Sequence, residues 1–198
     1  MMMEGETDME AMSLDRLLGG ASTEARICCA LVELLHEEPL ADISVKELCS
    51  RAYVARSTFY AHYRNVDDVL AAIEQAAVED LTVLNDPLAT ASPSDAASLS
   101  FFQGTLAYLD EHRDLMGVLL VERPDARFIA RWKEAIEGHL RARSPMAVST
   151  TEGEFTIDLV ASSMVSGCAY LVEHSTTLDV EKACTILADI LRLLDRWM

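Results

Sequence analysis

Apolar residues recur along most of the chain at intervals of three and four positions, the spacing of one face of an α-helix. The first clear run begins at Thr23 and is ended by Pro39; its apolar positions are Ile27, Ala30, Leu31, Leu34 and Leu35. The strict alternation of apolar and polar residues that is typical of a half-buried strand is absent. The pattern therefore predicts an all-α protein.

Polar residues mark where the next helices begin. Ser44 and Glu47, in the sequence SVKE, form a capping box in which the serine hydroxyl accepts a hydrogen bond from the Glu47 amide. A short third helix is predicted from Arg56 to Tyr63, and Asn65 is the expected N-cap of a fourth. The apolar positions of that fourth helix are Val69, Leu70, Ile73, Ala77 and Leu81 or Leu84.

The remaining chain reads as more helices separated by two loops. The segment NDPLATASPSD is rich in helix-breaking residues and predicts the main loop, and RSPMAVSTTEG predicts a second. Helices are expected near residues 96–111, 112–121, 124–142, 154–174 and 179–197. Residues 1–21 are polar, acidic and rich in methionine, so we expect a flexible acidic arm there.

The net charge of the 198 residues is −17, which argues against a protein that coats nucleic acid through unspecific contacts with phosphates. The charge is unevenly distributed: residues 22–66 hold six acids and five bases, a net of −1. This nearly neutral segment contains the sequence ARSTFYAHYR, in which aromatic residues alternate with cations. The segment is therefore the part of the chain best suited to meet an anionic partner.

The cysteines are odd in number and form no C-x-x-C pair, which favours buried thiols in a reducing cytoplasm over zinc ligands or a redox switch. They are Cys28, Cys29, Cys49, Cys168 and Cys184. The first ten residues lack the basic-then-apolar order of a signal peptide, and the longest uncharged stretches are short for a membrane span. We expect a cytoplasmic protein with no membrane contact.

Three short helices with a tight break between the second and third form a helix-turn-helix. The third helix, of about eight residues, is too short to be stable alone and must be held by the first two. Its outward face is then free to enter a major groove of DNA.

Residues 23–73, and especially ISVKELCSRAYVARSTFYAHYRNVDDVL, resemble the TetR family of bacterial transcription regulators. The matching positions are Ile43, Ser44, Val45, Leu48, Ala52, Val54, Thr58, Phe59, Tyr60, His62, Tyr63, Asp67 and Leu70. The sequences TFYAHY and EHRDLMGVLL further resemble a branch of that family that includes an activator of dihydroxyacetone utilisation, which works with a protein partner.

The resemblance implies a DNA-binding domain over residues 22–66 and a helical domain for dimerisation and effector binding over residues 67–198. It implies a homodimer on double-stranded DNA with a palindromic operator, and an unknown small-molecule effector. The expected function is a ligand-responsive repressor; the alternative is a coregulator that acts mainly through a protein partner and binds DNA weakly or not at all.

The DNA-binding residues that the resemblance implies lie on the second and third helices. Arg56 opens the third helix and can fork onto a guanine edge in the major groove. Tyr63 fits a packing role as well as a DNA contact, and His62 is also consistent with a merely solvated residue. The full set is Ser44, Val45, Arg56, Ser57, Thr58, Tyr60, His62, Tyr63 and Arg64.

Three positions depart from the family pattern. Tyr53 replaces the glycine usual at the turn, where a positive φ would cost a tyrosine roughly 1 kcal/mol. Ala55 replaces the usual serine cap of the third helix, with a loss of about 1 kcal/mol. Val66 replaces a lysine that usually lies beside the phosphates, and Arg64 is the candidate substitute.

The second half of the chain has no catalytic motif, metal-ligand spacing or cofactor motif, so neither catalytic residues nor a metal or cofactor are expected. Soft and aromatic side chains suggest an effector pocket, although such a stripe also suits an ordinary core; the candidates are Phe102, Leu106, Met116, Met164 and Cys168. An apolar stripe and small residues near the end of the chain suggest a dimer interface or, alternatively, intramolecular packing; these candidates are Ser163, Gly167, Leu187, Leu191 and Leu194.

Overall fold

The computed structural model describes residues 13–86, 96–174 and 179–197, and within these residues it contains helices and no β-strand. The all-α prediction is confirmed. The α-helices are α1 (Ser13–Leu18), α2 (Thr23–Glu37), α3 (Val45–Arg51), α4 (Arg56–His62), α5 (Val66–Asn85), α6 (Ala96–Glu111), α7 (Arg113–Gly117), α8 (Ala126–Arg143), α9 (Thr151–His174) and α10 (Val180–Leu191). A π-helical turn at Val118–Glu122 continues α7, and 3₁₀ turns lie at Ala147–Ser149 and Arg192–Trp197.

Side-chain caps fix the starts of the helices in the first half. The Ser22 hydroxyl accepts from the Ala25 amide at 3.0 Å, and the Ser44 hydroxyl accepts from the Glu47 amide at 3.1 Å. The Asn65 side chain accepts from the amide of Asp68 at 2.8 Å. The starts predicted at Ser44 and Asn65 are therefore confirmed, because these caps satisfy amides that have no partner within the helix.

Helices α2, α3 and α4 form a helix-turn-helix unit around a small apolar core. The fully buried members of that core include Ile27, Leu31, Leu34, Leu48 and Phe59, which lie at the helical intervals seen in the sequence. Helix α5 begins beside this unit and continues for twenty residues into the second half. There it packs against α6 and α8, and α8 in turn packs against α9, with Trp132 and Phe128 fully buried among them.

Residues 13–18 correct the prediction of a flexible arm over residues 1–21. They form helix α1, whose Leu14 is fully buried. The buried Asp80 carboxylate of α5 accepts hydrogen bonds from the backbone amides of Ser13 at 2.6 Å and Leu14 at 2.9 Å. It also accepts from the Tyr108 hydroxyl of α6 at 3.1 Å. Residues 1–12 and most of the predicted main loop lie outside the described residues.

Two polar contacts join the helix-turn-helix unit to the second half. Arg123 Nε, at the end of the π-helical turn, donates to the Leu35 carbonyl at 2.8 Å. His36 Nδ1 lies 3.1 Å from Glu122 Oε2. The C-terminal end of α2 is therefore attached to the segment that leads into α8.

All five cysteines are free thiols, and four of them are buried. The described residues contain no group of three or more side chains able to hold a metal ion. One described helix, α9, is long and apolar enough to cross a membrane by length and composition alone. The buried side of α9 packs against α8 and α10, an arrangement that also occurs in the core helices of soluble proteins.

Candidate nucleic-acid interface

The turn between α3 and α4 contains Tyr53, whose φ is 54° and whose side chain is 88% exposed. The positive φ is the strained conformation expected for this position from the sequence. Arg26 of α2 holds the turn: its Nη2 donates to the carbonyl of Ala52 at 2.6 Å and also to that of Tyr53. The sequence pointed to the strain but not to Arg26, an exposed arginine that nothing in the hydrophobic pattern distinguishes.

Helix α4 presents polar and aromatic side chains to solvent. Arg56, Ser57 and Tyr60 are exposed, and Tyr60 remains 58% accessible although its ring meets the Phe59 ring edge-on at 5.4 Å. Thr58 is half-buried, and Phe59 is fully buried against the core of the unit. Three of the predicted DNA-binding residues therefore lie on the outward face of this helix.

The start of α3 lies beside this face. Ser44 is exposed and Val45 is half-buried, and Lys46 is exposed next to them. A shallow open groove runs along this surface, lined by Ser44, Lys46, Glu47, Ser50, Arg51 and Tyr53. The groove brings the first turn of α3 and the strained turn into one continuous polar surface.

Two predicted DNA contacts at the end of α4 have partners within the chain. His62 Nδ1 lies 3.1 Å from Glu24 Oε1 of α2. Arg64 forms a bidentate ion pair with Asp68, with Nε to Oδ2 at 2.7 Å and Nη2 to Oδ1 at 3.0 Å. The Asp68 carboxylate raises the pKa of Arg64, an arginine that stays charged in any case. The charge of Arg64 is therefore already balanced.

Tyr63 is turned towards the interior. The residue is half-buried, packs against the core, and places its hydroxyl 3.5 Å from Cys28 Sγ of α2. Burial raises the pKa of the phenol, so it remains protonated. Of the two roles that the sequence left open for Tyr63, the observed position corresponds to packing.

The other two departures from the family pattern are visible in the structure. Ala55 occupies the N-cap position of α4 and makes no side-chain capping bond. Val66 is buried at the start of α5.

Within the described part of the chain, Lys46 and Arg56 make no ion pair, whereas Arg51 is bound to Glu37 at 2.8 Å. The polar surface therefore offers two cations whose charge is not balanced by a carboxylate.

The predicted effector-pocket residues fall into two groups. Phe102, Met116, Met164 and Cys168 are buried in the core, whereas Leu106 lines a cleft of about 350 Å³ between α6, α7 and α9. Its lining residues are Gln103, Leu106, Ala107, Leu109, Asp110, Arg113, Leu171 and Val172. For the four buried residues the alternative of an ordinary core describes the structure better, because their side chains fill space between packed helices.

The predicted dimer-interface leucines are used inside the chain. Leu187, Leu191 and Leu194 are buried. Gly167 packs against Leu187 so closely that a Cβ on the glycine would come within 2.8 Å of Leu187 Cδ2. The Ser163 hydroxyl donates to the Leu159 carbonyl of its own helix at 2.8 Å. Leu187 and Leu191 of α10 and Leu194 of the following 3₁₀ turn are therefore covered within the chain, which corresponds to the alternative of intramolecular packing that the sequence left open.

A different set of apolar residues is exposed on the same two helices. Phe155, Leu159 and Tyr170 lie on one side of α9, since their spacing of four and eleven residues brings them to the same face. On α10, Ile186 is 61% exposed. The sequence did not single out Phe155 or Leu159, because the helical period alone does not say which apolar residues the chain itself covers.

Several solved structures have the same fold. A TetR transcriptional regulator from Streptococcus agalactiae 2603V superposes with a TM-score of 0.65 at 22% sequence identity, over 91% of this chain and 98% of that one. The fatty acid degradation regulator FadR from Bacillus halodurans superposes with a TM-score of 0.63 at 15% identity, over 87% and 95% of the two chains.

A third structure of this fold is the dihydroxyacetone kinase operon activator DhaS, with a TM-score of 0.59 at 18% identity, over 90% of this chain and 99% of the other. No family model and no curated protein matches the sequence. At these identities the superpositions establish the architecture: the chain has the fold of the TetR-type transcriptional regulators, an N-terminal helix-turn-helix followed by a helical domain.

Proposed function

We propose that the protein is a DNA-binding transcriptional regulator of the TetR type. It would act in the cytoplasm as a homodimeric repressor on a palindromic operator and respond to a small-molecule effector. The observation that supports this best is the exposed face of α4, where Arg56, Ser57 and Tyr60 project from a helix-turn-helix. Lys46 on α3 adds a second unpaired cation beside it.

The chemistry of this face suits double-stranded DNA. An arginine at the start of a recognition helix can donate two hydrogen bonds to O6 and N7 of a guanine. A tyrosine hydroxyl and a serine near a helix N-terminus can donate to phosphate oxygens, which fixes the position of the helix in the groove. Ser44 and Lys46 would contact the backbone from the neighbouring helix.

Fluorescence anisotropy with the DNA that flanks the gene for this protein tests the proposal. Binding should prefer that sequence and weaken steeply as salt rises. Arg56→Ala should reduce affinity by about 1–3 kcal/mol. Lys182→Ala, which removes one cation far from the helix-turn-helix, is the matched control and should bind normally. Absence of any salt-sensitive, sequence-preferring binding would overturn the proposal.

The cleft lined by Leu106, Leu171 and Val172 is the proposed effector site. Its volume of about 350 Å³ and its largely apolar lining, to which Asp110 and Arg113 contribute an ion pair, suit a small molecule with one polar end. One of the similar structures is a regulator of fatty acid degradation, so fatty acids are the first class to test.

A thermal-shift assay with a series of fatty acids examines this site. A ligand should raise the unfolding temperature of the wild type, because binding to the folded state stabilises it. Leu106→Trp should abolish the shift by filling the cleft, and Val83→Trp, an exposed residue of α5, should leave it intact. An equal shift in all three proteins would place the site elsewhere.

A second function is a coregulator that acts through a protein partner. It is favoured by the contact of His62 with Glu24 and the ion pair of Arg64 with Asp68, which occupy two of the predicted DNA contacts, and by the inward position of Tyr63. Purification from native cells separates the two functions. The coregulator would be recovered with a stoichiometric partner, whereas recovery of the free protein with intact DNA binding would support the repressor.

A further inference from the structure

The turn between α3 and α4 combines a strained backbone with an unusual source of support. Tyr53 has a φ of 54°, a conformation that L-residues other than asparagine and aspartate rarely adopt. A glycine would take the same conformation without steric strain. The turn must therefore be held in place by interactions with the surrounding structure.

Backbone hydrogen bonds hold this turn through its amides. The amides of Tyr53 and Val54 donate to the carbonyls of Ser50 and Cys49, at 3.3 Å and 3.0 Å. On the acceptor side, both the Ala52 and the Tyr53 carbonyl receive a hydrogen bond from Nη2 of Arg26. Because one planar nitrogen reaches both carbonyls, the arginine fixes their relative direction, and with it the path of the chain into α4.

The direction of helix α4 depends on this path. It has seven residues, and its N-cap Ala55 provides no side-chain hydrogen bond. The direction of its first turn, which contains Arg56 and Ser57, therefore follows from the conformation of the preceding residues. Residues of α2 support both of its ends, Arg26 at the turn and Glu24 at His62.

We propose that Arg26 is a positioning residue of the DNA-binding site: its guanidinium holds the strained turn at Tyr53 and so sets the direction in which α4 presents Arg56 and Tyr60. This inference rests on the proposed function, since it assigns Arg26 a role in DNA recognition without a contact to DNA. The competing role is a direct one, in which Arg26 donates to a phosphate like any basic residue near the duplex.

A double-mutant cycle between Arg26→Ala and Tyr53→Gly distinguishes the two roles. Alanine is a strong helix former and Arg26 is exposed, so the variant should fold, which circular dichroism checks. In the wild-type background Arg26→Ala should weaken binding to the flanking DNA about tenfold, because both charge-assisted hydrogen bonds that hold the turn are lost. In the Tyr53→Gly background the same substitution should weaken it less than about twofold, because glycine needs no support at this φ.

The salt dependence of binding provides the control. Arg26→Ala should leave the slope of log affinity against log salt unchanged, whereas Lys46→Ala, which removes a proposed phosphate contact, should reduce it by about 1. Equal losses of affinity in both backgrounds, or a reduced slope for Arg26→Ala, would overturn the positioning role.

The four proteins of the double-mutant cycle are the wild type, Arg26→Ala, Tyr53→Gly and the double variant. They also distinguish a failure of this inference from a failure of the proposed function. If the wild type binds no DNA, the proposed function fails, and the role of Arg26 at the turn is read from thermal unfolding alone. Arg26→Ala should then lower the unfolding temperature by several degrees in the wild-type background and by a clearly smaller amount in the Tyr53→Gly background. Equal decreases would show that Arg26 does not support the turn.

Discussion

At the scale of single residues, Asp80 joins three helices, although the hydrophobic pattern of the sequence did not emphasise it. Its carboxylate lies in the core, and its partners are two backbone amides at the start of α1 and the hydroxyl of Tyr108 on α6. A buried carboxylate is tolerated when hydrogen bonds replace its hydration, and here three donors do so. Asp80 therefore fixes α1 to the second half of the molecule.

Replacement of this carboxylate should detach α1. Asp80→Ala leaves the amides of Ser13 and Leu14 without their acceptor, so we expect a loss of about 2–3 kcal/mol in the free energy of unfolding. Urea denaturation measures the loss, and limited proteolysis should show new cleavage within residues 13–21. Glu79→Gln, an exposed neighbour on the same helix, is the control; similar behaviour of the two variants would contradict the role given to Asp80.

Glu74 is a second buried carboxyl group of α5, and its environment favours the protonated form. Burial, followed by the nearby carboxylate of Asp125, raises the pKa of Glu74 to about 7. Arg127 Nη2 lies 3.5 Å from Oε1 and Arg131 Nη1 lies 4.0 Å from Oε2, which only partly offsets these effects. Because Asp125 caps α8, the pair lies where α5 meets the start of that helix.

The stability of the protein should therefore depend on pH through Glu74. The pKa is higher in the folded than in the unfolded chain, so the contribution of this group is fully present below about pH 4.5 and is lost as pH rises towards 7. The change amounts to roughly 3 kcal/mol, at about 1.4 kcal/mol for each unit of pKa. Glu74→Gln should flatten the dependence of urea stability on pH between these values, and an unchanged pH profile would contradict it.

At the scale of the helices, the weak point of the helix-turn-helix is the start of α4. Ala55→Ser should supply the missing capping bond and raise the free energy of unfolding by about 1 kcal/mol, as measured by urea denaturation. Ala61→Ser, on the exposed part of the same helix, should be neutral or slightly destabilising because serine there competes with the helical hydrogen bonds. A gain at both positions would show that capping is not the cause.

The helices themselves were largely predictable from the sequence. Caps and apolar periods placed α2, α3, α4 and α5 within a residue or two of their observed bounds, because these signals act within one or two turns. Helix α1 was missed because its six residues carry little periodicity. It is stabilised instead by Asp80, more than sixty positions further along the chain.

The candidate site was predictable only where the signals act within one or two helical turns. Local signals identified α4 and the strain at Tyr53. The arginine that holds the turn, the partner of His62 and the contact of Tyr63 with Cys28 all depend on how α2 lies across α4. The exposure of the apolar side of α9 could not be predicted either. The period of a helix shows where its apolar face lies but does not show whether another element covers that face.

At the scale of the whole molecule, we propose that the dimer of the proposed function forms through the exposed side chains of α9 and α10. Phe155 is 65% exposed, and Leu159, Tyr170 and Ile186 are also accessible. Exposed apolar residues that share one face are typical of protein interfaces. A repressor that reads two half-sites needs such pairing, because its recognition helices must lie about one helical turn of DNA apart, roughly 34–36 Å.

A charge within this face should separate the subunits. Phe155→Glu is expected to shift the protein from dimer to monomer in analytical ultracentrifugation, because a buried unpaired carboxylate disfavours association. Val83→Glu introduces the same charge at an exposed apolar residue of α5 and should leave the dimer intact. A monomeric wild type, or a dimeric Phe155→Glu variant, would place the interface elsewhere or remove it.

Helix α5 passes without interruption from the helix-turn-helix into the second half of the molecule. At 1.5 Å per residue its twenty residues span about 30 Å, so it can act as a rigid rod between the two. A tilt of roughly 10° about one end displaces the other by about 5 Å, more than the 3.4 Å rise of one base pair along a DNA strand. In the proposed dimer, a change in angle of this size would therefore move the two copies of α4 out of register with successive grooves.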